Sequence, residues 1–359
     1  MNGLARLIPG ERVVVDVPVR VADVGGWTDT WFGSPGRVCH LAVGPAVRVV
    51  ATLEPRPPGD LGPVHLLAPA LAVDHHIAPS VDGGWADPDP GVDPLLEHAV
   101  GAVLENALLP EHLGIEVTVT SAVPPGASLG TSAAVVVGVL SALDRLVGGG
   151  ERTPAELAVL AHQVETERAG RESGVQDQWA AAAGGCGLLT IGAYPHATHE
   201  RIDLAPSTVR ELGERLVTVV LGAHDSSAVH AQVINDVVGC DGEDHERTRQ
   251  ALRDLAKLAG EAAAALRSGD VDRWAEALVE ATDAQARLHP ELVGEAHRRA
   301  IDVAKAQGAV GWKVNGAGGA GGSLTCVTGP GRSAHDLIAE LRAVDPTWTF
   351  PDLWPRASG

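Results

Sequence analysis

The chain has 359 residues, a formal net charge of −19 at pH 7 and 45% hydrophobic residues, as expected of a folded protein with room for two lobes. So acidic a chain lacks the broad basic face that nucleic acid or an anionic membrane requires, which excludes both as partners. A phosphorylated ligand is not excluded, because it needs only a local site.

Two further features of the composition indicate the compartment. No apolar run is long enough to span a bilayer. The four cysteines are widely spaced and contain no CxxC pair, which argues against structural zinc and a disulfide framework. We therefore expect a cytoplasmic protein with free thiols.

Strands and helices are predicted from apolar spacing, caps and breakers. In the first half the predicted strands are 12–17, 37–43, 46–53, a short piece at 65–67, 115–120 and 187–191, and the predicted helices are 93–109, 135–146 and 154–168. In the second half the predicted strands are 216–221, 323–327 and 348–350, and the predicted helices are 243–267, 271–288, 291–307 and 334–343. Long helices segregated from strands predict an α+β fold in two lobes, 1–205 and 206–359. His75 and His76 have no partner motif, so we assign no metal site to them.

A glycine-rich turn lies between the predicted strand at 115–120 and an apolar helical run. Its sequence is PPGASLGTSAA, residues 124–134. A turn that opens directly into a helix presents unpaired backbone N–H groups and the positive end of the helix dipole to an anion. Thr131 and Ser132 add hydroxyls that can cap the helix or bind a metal ion that accompanies a phosphate. An ordinary loop with an N-cap would show the same local pattern.

Four other features are likewise consistent with either a functional site or an ordinary structural role. Arg20 and Asp29 flank the turn at Gly25-Gly26, and a glycine-rich segment spans 316–322. Glu165 lies on a mostly apolar helix, and Asp177 lies between two glutamines at a helix start. Singly, these are consistent with surface charges, a helix-terminal acid and a linker. Their joint occurrence favours one functional site.

Three of these segments resemble the motifs of the GHMP kinases, the superfamily of galactokinase, homoserine kinase and mevalonate kinase. PPGASLGTSAA is similar to the phosphate loop PxxxGLGSSAA, and KVNGAGGAGG is similar to the C-terminal glycine motif. PVRVADVGGWTDT resembles the substrate motif of the branch that contains fucokinase and D-glycero-D-manno-heptose 7-phosphate kinase. The resemblance implies a ribosomal S5 domain 2-like N-terminal lobe and a ferredoxin-like C-terminal lobe. Thr131 and Asn315 depart from the usual residues.

The resemblance also implies roles for individual residues. Asp177 would be the general base and Arg20 would pair with it, while Ser132 and Glu165 would bind Mg²⁺. The residues implied for ATP phosphate binding are Pro125, Gly126, Ala127, Ser128, Leu129, Gly130, Thr131, Ser132 and Ala133. Those implied for substrate binding are Gly25, Gly26, Trp27, Thr28, Asp29, Gln176, Gly316, Gly318 and Gly319. By the same resemblance, His224, Asp225, Ser226 and Ser227 would face the cleft.

These roles predict an ATP-dependent sugar kinase. The resemblance to fucokinase and heptose kinase implies that it phosphorylates the anomeric hydroxyl to give a sugar 1-phosphate. Gly26 and Trp27 stand where galactokinase has Glu and His, so galactose is not the expected substrate. One alternative is a kinase of the same fold that acts on mevalonate, homoserine or a similar alcohol. Another is a non-catalytic ligand-binding member. A dinucleotide-binding oxidoreductase is disfavoured, because GASLGTSAA lacks the GxGxxG spacing.

Overall fold

The computed structural model describes residues 7–56, 62–79, 85, 94–105, 107, 109–150, 152–223, 226–239 and 242–355. Within these ranges two β-sheets and ten α-helices form an α+β fold, which confirms the predicted class. No helix in these ranges combines the length and apolar character that a membrane span requires.

The larger sheet has seven strands. They are β1 (Arg12–Val24), β2 (Gly36–Pro55), β3 (Val64–Ala68), β4 (Val73–Ile77), β5 (Leu113–Ser121), β6 (Cys186–Ala193) and β7 (His196–Ile202). Their order is β4-β3-β5-β2-β6-β7, with β1 paired to β2, and every pair is antiparallel except β3 with β5. The long strand β2 therefore organises the sheet, because it pairs with β1, β5 and β6.

The helices connect and cover the two sheets. They are α1 (Leu95–Leu104), α2 (Thr131–Val147), α3 (Pro154–Gln163), α4 (Gln176–Ala183), α5 (Pro206–Arg215), α6 (Ser226–Gly239), α7 (Gly242–Ser268), α8 (Val271–Leu288), α9 (Glu295–Ala306) and α10 (Ala334–Val344). A π-helical turn, Val164–Arg168, continues α3. A capping box begins α3, since Glu156 N–H donates to Thr153 Oγ1 and Thr153 N–H donates to Glu156 Oε2.

The smaller sheet has three antiparallel strands, β8 (Leu216–Gly222), β9 (Ala309–Val314) and β10 (Gly322–Thr328), in the order β8-β10-β9. A single bridge between Val220 and Thr349 extends its outer edge. The strand predicted at 348–350 is therefore reduced to that bridge. Helices α9 and α10 supply apolar side chains to the core of this sheet, including Ala300, Ile301, Leu337 and Leu341.

The main core joins residues from both predicted lobes. Helix α2 approaches the large sheet so closely that a Cβ on Gly138 would lie 2.6 Å from Val49 Cγ2. Ala259 of α7 and Leu278 of α8 are fully buried in the same cluster as Val49. Because burial of apolar side chains is the main stabilising contribution, this core holds β1 and β2, and with them the residues of the first motif, in place.

Several boundaries differ from the predictions. The first strand continues to Val24, so the segment that carries Arg20 is strand. The strands predicted at 37–43 and 46–53 form one strand, β2. The pairing of β1 with β2 is irregular next to Gly44 and Pro45, where the register shifts between the pair that contains Val17 and the pair that contains Val19. This irregularity accommodates Pro45 within the strand. The helix predicted from residue 291 begins at Glu295, after a short 3₁₀ turn. Strands β4, β7 and β9 and helix α5 were not predicted.

Candidate functional site

The glycine-rich turn joins β5 to α2 and is fixed from inside the protein. Ala127 and Leu129 are buried, and Leu129 O accepts a hydrogen bond from Arg20 N–H at 3.0 Å. Gly126, Ser128 and Gly130 have positive φ angles of 75°, 57° and 73°, so the backbone between the buried residues turns outward. Gly130 is the N-cap of α2 and provides no side-chain cap, which leaves the first N–H groups of the helix for a ligand.

Two hydroxyls stand at the start of α2. Thr131 Oγ1 is buried and has no hydrogen-bond partner among the described residues. Ser132 Oγ donates to Glu165 Oε1 at 3.3 Å and accepts from Arg171 Nη1 at 3.0 Å. A buried hydroxyl without a hydrogen-bond partner destabilises the folded protein. The Thr131 hydroxyl therefore favours a bound ligand whose oxygen would be its partner at this position.

Glu165 lies in the π-helical turn after α3, and its side chain is buried and not on a solvated helix face. Its Oε2 accepts hydrogen bonds from Ser173 Oγ at 3.0 Å and Gln178 Nε2 at 2.5 Å. Burial, together with the charge of Asp177, raises the pKa of Glu165 to about 7. A cation beside this carboxyl would favour its ionised form. No group of three or more His, Cys, Asp or Glu in the described part of the chain is arranged to hold a metal, so a metal here would need ligand oxygens from a substrate.

Asp177 lies in the first turn of α4 and contacts both the phosphate loop and β1. Arg20 Nε donates to its Oδ1 at 2.8 Å and Arg20 Nη2 donates to its Oδ2 at 3.3 Å. A Cβ on Gly130 would lie 3.1 Å from Asp177 Cγ, so the glycine allows the loop to touch the carboxylate. The predicted base therefore sits directly beside the predicted phosphate site.

Arg20 is buried at the centre of this charge cluster. Its Nη1 lies 3.3 Å from Asp23 Oδ1 and donates to Ser128 O at 2.5 Å. Burial alone would lower the pKa of Arg20, but Asp177 and Asp23 outweigh burial and raise the pKa above its ordinary value. The guanidinium is thus fully ionised and already neutralised by carboxylates.

Asp29 lies at the other end of the same cluster. It is 1% exposed, and its Oδ2 accepts a hydrogen bond from Gln176 N–H at 2.9 Å. A Cβ on Gly174 would lie 2.1 Å from that oxygen, so only glycine fits there. Burial raises the pKa of Asp29 to about 6. The backbone of α4 thereby fixes Asp29 relative to Asp177.

The first motif contributes one wall and one turn. Trp27 has a φ of 77°, and its ring centroid lies 6.2 Å from that of Phe32. Thr28 is buried inside the turn, where its Oγ1 donates to Gly25 O at 2.7 Å. Thr28 and Gly25 therefore shape the turn, while Gly26, Trp27 and Asp29 line a cavity.

The third motif is hydrogen-bonded to β1 through Asn315, the residue at which it departs from the family pattern. Asn315 Oδ1 accepts from Ala22 N–H at 2.8 Å, and Asn315 Nδ2 donates to Ser323 Oγ at 3.0 Å. Gly316 N–H donates to Asp23 Oδ1 at 3.3 Å. Gly316 lines the cavity, whereas Gly318 and Gly319 approach the backbone at Leu292 and Gly294 and do not line it.

A buried lysine supports this glycine turn from behind. Lys313 Nζ donates to Gln285 Oε1 at 2.6 Å and to Val314 O, and Gln285 Nε2 donates to Gly316 O at 2.9 Å. Burial lowers the pKa of Lys313 to about 8. The turn is therefore fixed by polar contacts on both sides.

Two cavities lie close to the glycine-rich turn. One of about 60 Å³ is lined by Arg20, Gly26, Trp27, Asp29, Thr30, Ser173, Gly174, Gln176, Asp177, His230, Gly316 and Ala317. The other, of about 330 Å³, extends from the phosphate loop and is mostly apolar. Its lining includes Leu71, Leu95, Val119, Val135, Thr131 and Arg171. The turn connects the two cavities: Gly126 and Thr131 line the larger one, and Gly130 lies against Asp177 of the smaller one.

Sequence reasoning missed several residues of this site, chiefly Arg171, Ser173 and His230. Arg171 and Ser173 belong to the irregular segment before α4, and their distance from Ser132 along the chain gave no signal. His224 and Asp225 lie outside the described residues. Ser226 and Ser227 begin α6, and their side chains also lie outside the described part.

Comparison with known proteins shows which sequences and structures the chain is similar to. Residues 95–185, from α1 to just beyond α4, match the family model for the GHMP kinases N terminal domain. A mevalonate kinase of Pyrococcus abyssi is 27% identical over 245 residues, 68% of each chain. The structure of a D-glycero-D-manno-heptose 1-phosphate kinase from B. thetaiotaomicron has a TM-score of 0.70 at 20% identity and covers 97% of both chains. The Methanococcus jannaschii mevalonate kinase also has a TM-score of 0.70, at 16% identity, and covers 97% of this chain and 98% of that one.

The fold is that of the solved heptose 1-phosphate kinase and mevalonate kinase structures. Residues 95–185 match the GHMP kinases N terminal domain, in agreement with the resemblance seen in the three motifs. The structural likenesses, all at low identity, establish the fold and do not identify the molecule that accepts the phosphoryl group.

Proposed function

We propose that the protein is an ATP-dependent sugar kinase that transfers the γ-phosphoryl group to a sugar hydroxyl, the anomeric one, giving a sugar 1-phosphate. The observation that carries the proposal is the position of Asp177. Its carboxylate contacts Arg20, lines the small polar cavity and touches Gly130 of the phosphate loop. A hydroxyl bound in the small cavity would therefore lie between a base and the phosphate site.

The larger cavity suits a nucleotide. Its apolar walls at Leu71, Leu95, Val119 and Val135 would bury the adenine base, and its floor leads to the amide groups at the start of α2. Arg171 lines the same cavity and contacts Ser132, so its charge would lie beside the transferring phosphoryl group. Positioning and charge neutralisation of this kind supply most of the catalysis in phosphoryl transfer.

Ser132 and Glu165 would hold Mg²⁺ together with phosphate oxygens. Their direct contact and the unpartnered buried hydroxyl of Thr131 fit a site that is completed by the nucleotide. Mg²⁺ held there would supply positive charge to neutralise the phosphates. Asp177 accepts the proton of the attacking hydroxyl as the new O–P bond forms and ADP leaves. Arg20 holds the Asp177 carboxylate in place for that step.

The charge of the small cavity favours a neutral acceptor. Among the described residues that line it, Arg20 is the only lysine or arginine, and Asp177 and Asp23 already neutralise its charge. A carboxylate-bearing acceptor such as mevalonate or homoserine would meet Asp29 and Asp177 without a compensating cation. The similarity to mevalonate kinases favours that second class of acceptor, but the cavity opposes it.

A coupled assay of ADP release across acceptors tests the proposal. The panel is free hexoses, pentoses, heptose phosphates, mevalonate, homoserine and no acceptor, with product identified by ³¹P NMR. We expect a free sugar to give ADP and a phosphate coupled to the anomeric proton. Asp177→Asn should abolish this turnover and leave nucleotide binding intact, while the exposed control Asp203→Asn should behave as wild type. Turnover of mevalonate or homoserine alone would show that the sugar assignment is wrong.

A further inference from the structure

His230 is the residue through which α6 reaches the small cavity. Helix α6 follows β8 of the smaller sheet, and His230 lines the cavity that also contains Asp29 and Asp177. The imidazole ring lies with its centroid 5.0 Å from that of Trp27 and at 71° to it, an edge-to-face contact. The side chain is therefore fixed against the wall formed by the first motif.

The hydrogen bond of His230 defines its tautomer. Nδ1 lies 3.4 Å from the carbonyl oxygen of Glu172, and a carbonyl oxygen can only accept. Nδ1 consequently carries the proton. Burial lowers the pKa of His230, which favours the neutral ring. In a neutral ring with the proton on Nδ1, Nε2 has a free lone pair and acts as an acceptor.

The small cavity is rich in such acceptors. Asp29 and Asp177 present carboxylates, and Gln176 Oε1 is buried without a partner among the described residues. His230 lines the same cavity beside Trp27, and its Nε2 adds a neutral acceptor. A ligand that satisfies this set must offer several O–H donors from one compact body, as a polyol does.

We infer that His230 is a specificity-determining residue, whose Nε2 accepts a hydrogen bond from a hydroxyl of the acceptor that is not phosphorylated. This inference rests on the proposed sugar-kinase function and assigns to α6 a share in choosing the substrate. Trp27 and Glu172 position the imidazole, and Asp29 and Gln176 bind other hydroxyls of the same ligand.

Three substitutions distinguish the effect of the acceptor nitrogen of His230 from the effect of the size of its ring. His230→Phe keeps an aromatic contact with Trp27 but removes both nitrogens, and His230→Asn places its amide near the Nδ1 position. His230→Gln places an amide oxygen near the Nε2 position. We expect the KM for the sugar to rise about tenfold in the Phe and Asn variants, the loss of one hydrogen bond, and to stay within about threefold in the Gln variant.

The KM for ATP should be unchanged in all three variants, and His196→Phe, an exposed histidine of β7, is the matched control. A sugar KM within twofold of wild type in His230→Phe would overturn the inference. NMR of the ¹⁵N-histidine-labelled protein gives a second readout that does not require turnover. It should show the Nδ1–H tautomer for His230 and a shift of Nε2 on addition of the sugar, and an Nε2–H tautomer would equally overturn the inference.

The same variants distinguish failure of the inference from failure of the proposed function. If the wild type phosphorylates mevalonate and no sugar, the sugar-kinase function is wrong. The role of His230 is then judged on mevalonate, whose KM must rise about tenfold in His230→Phe for the acceptor contact to stand. An unchanged KM for mevalonate in His230→Phe would then refute the role of His230 as well as the sugar-kinase function.

Discussion

Arg20 and Asp177 are joined by two hydrogen bonds although 157 positions separate them, with Nε 2.8 Å from Oδ1 and Nη2 3.3 Å from Oδ2. A guanidinium holds a carboxylate at two points and so fixes its plane as well as its position. Because Ser128 O and Asp23 bind the remaining side of Arg20, the orientation of Asp177 depends on both the phosphate loop and β1.

Replacement of Arg20 by lysine keeps the charge and loses the second point of contact. We expect Arg20→Lys to lower kcat by roughly 100-fold, since a misplaced base affects the transition state more than nucleotide binding, with KM for ATP changed less than threefold. Arg48→Lys is a matched control, because Arg48 binds Asp16 at two points in the same way on an exposed face. Equal kcat values in the two variants would contradict the role of Arg20.

Removal of the Ser132 hydroxyl should change the response to magnesium. Ser132→Ala deletes a proposed ligand while Glu165 stays in place, so we expect several-fold more Mg²⁺ to be needed for half-maximal activity. The measurement is ADP release against free Mg²⁺ at saturating nucleotide. Ser268→Ala, at the end of α7, should leave the curve unchanged. If Ser132→Ala followed the wild-type curve, its assignment as a ligand would be wrong.

Arg171 should matter for ATP and little for the acceptor. Arg171 lines the larger cavity and contacts Ser132, so Arg171→Ala would remove the proposed charge-assisted contact to phosphate. We expect about a 10- to 100-fold loss in kcat/KM for ATP, in line with hydrogen bonds to charged groups. Arg201→Ala, which loses an exposed pair with Asp203, is the control. A selective rise in the acceptor KM would instead place Arg171 at the small cavity.

Asp29 should make the stability of the protein depend on pH. Its pKa is raised by burial from 3.8 to about 6, so the folded chain holds this proton more tightly than the unfolded chain does. The contribution of Asp29 to the free energy of unfolding is therefore present below about pH 4 and is lost as pH rises through about 6.

The measurement compares urea unfolding of the wild type and Asp29→Asn from pH 4 to 7.5. The wild type should lose on the order of 2–3 kcal/mol relative to the variant across this range, from about two pKa units at about 1.4 kcal/mol each. Asp203→Asn is the exposed control. Parallel profiles for the wild type and Asp29→Asn would show that Asp29 does not titrate in this way.

The motifs could be predicted because their chemistry is local. A glycine turn before an apolar helix, Pro154 after a capping threonine, and the acids at 165 and 177 are each visible within a few residues. What brings them together is not local: Arg20 meets Asp177, and Ser132 meets Glu165, only after the sheet and helices have packed. Their meeting could therefore be expected only from the resemblance to the kinases.

The elements that were missed lack a clear hydrophobic period. Strand β7 is an edge strand whose residues are mostly polar and solvent-exposed, and α5 buries mainly Thr208, Leu212 and Arg215. Strand β9 places the charged Lys313 in the interior, where the pattern calls for an apolar residue. His230 was not identified because a single histidine in α6 carries no signal until Trp27 is placed beside it.

The hydrogen bond from Ala22 to Asn315 spans almost the whole chain and crosses the proposed lobe boundary at residue 205. Any fragment that ends near that boundary would leave the buried Ala22 N–H without its acceptor, at a cost of about 1–3 kcal/mol. Such a fragment would also leave the surface that Ala259 and Leu278 cover exposed to water. During synthesis, the part of the site that contains Ala22 and Asn315 therefore cannot be completed until residues on both sides of that boundary have left the ribosome.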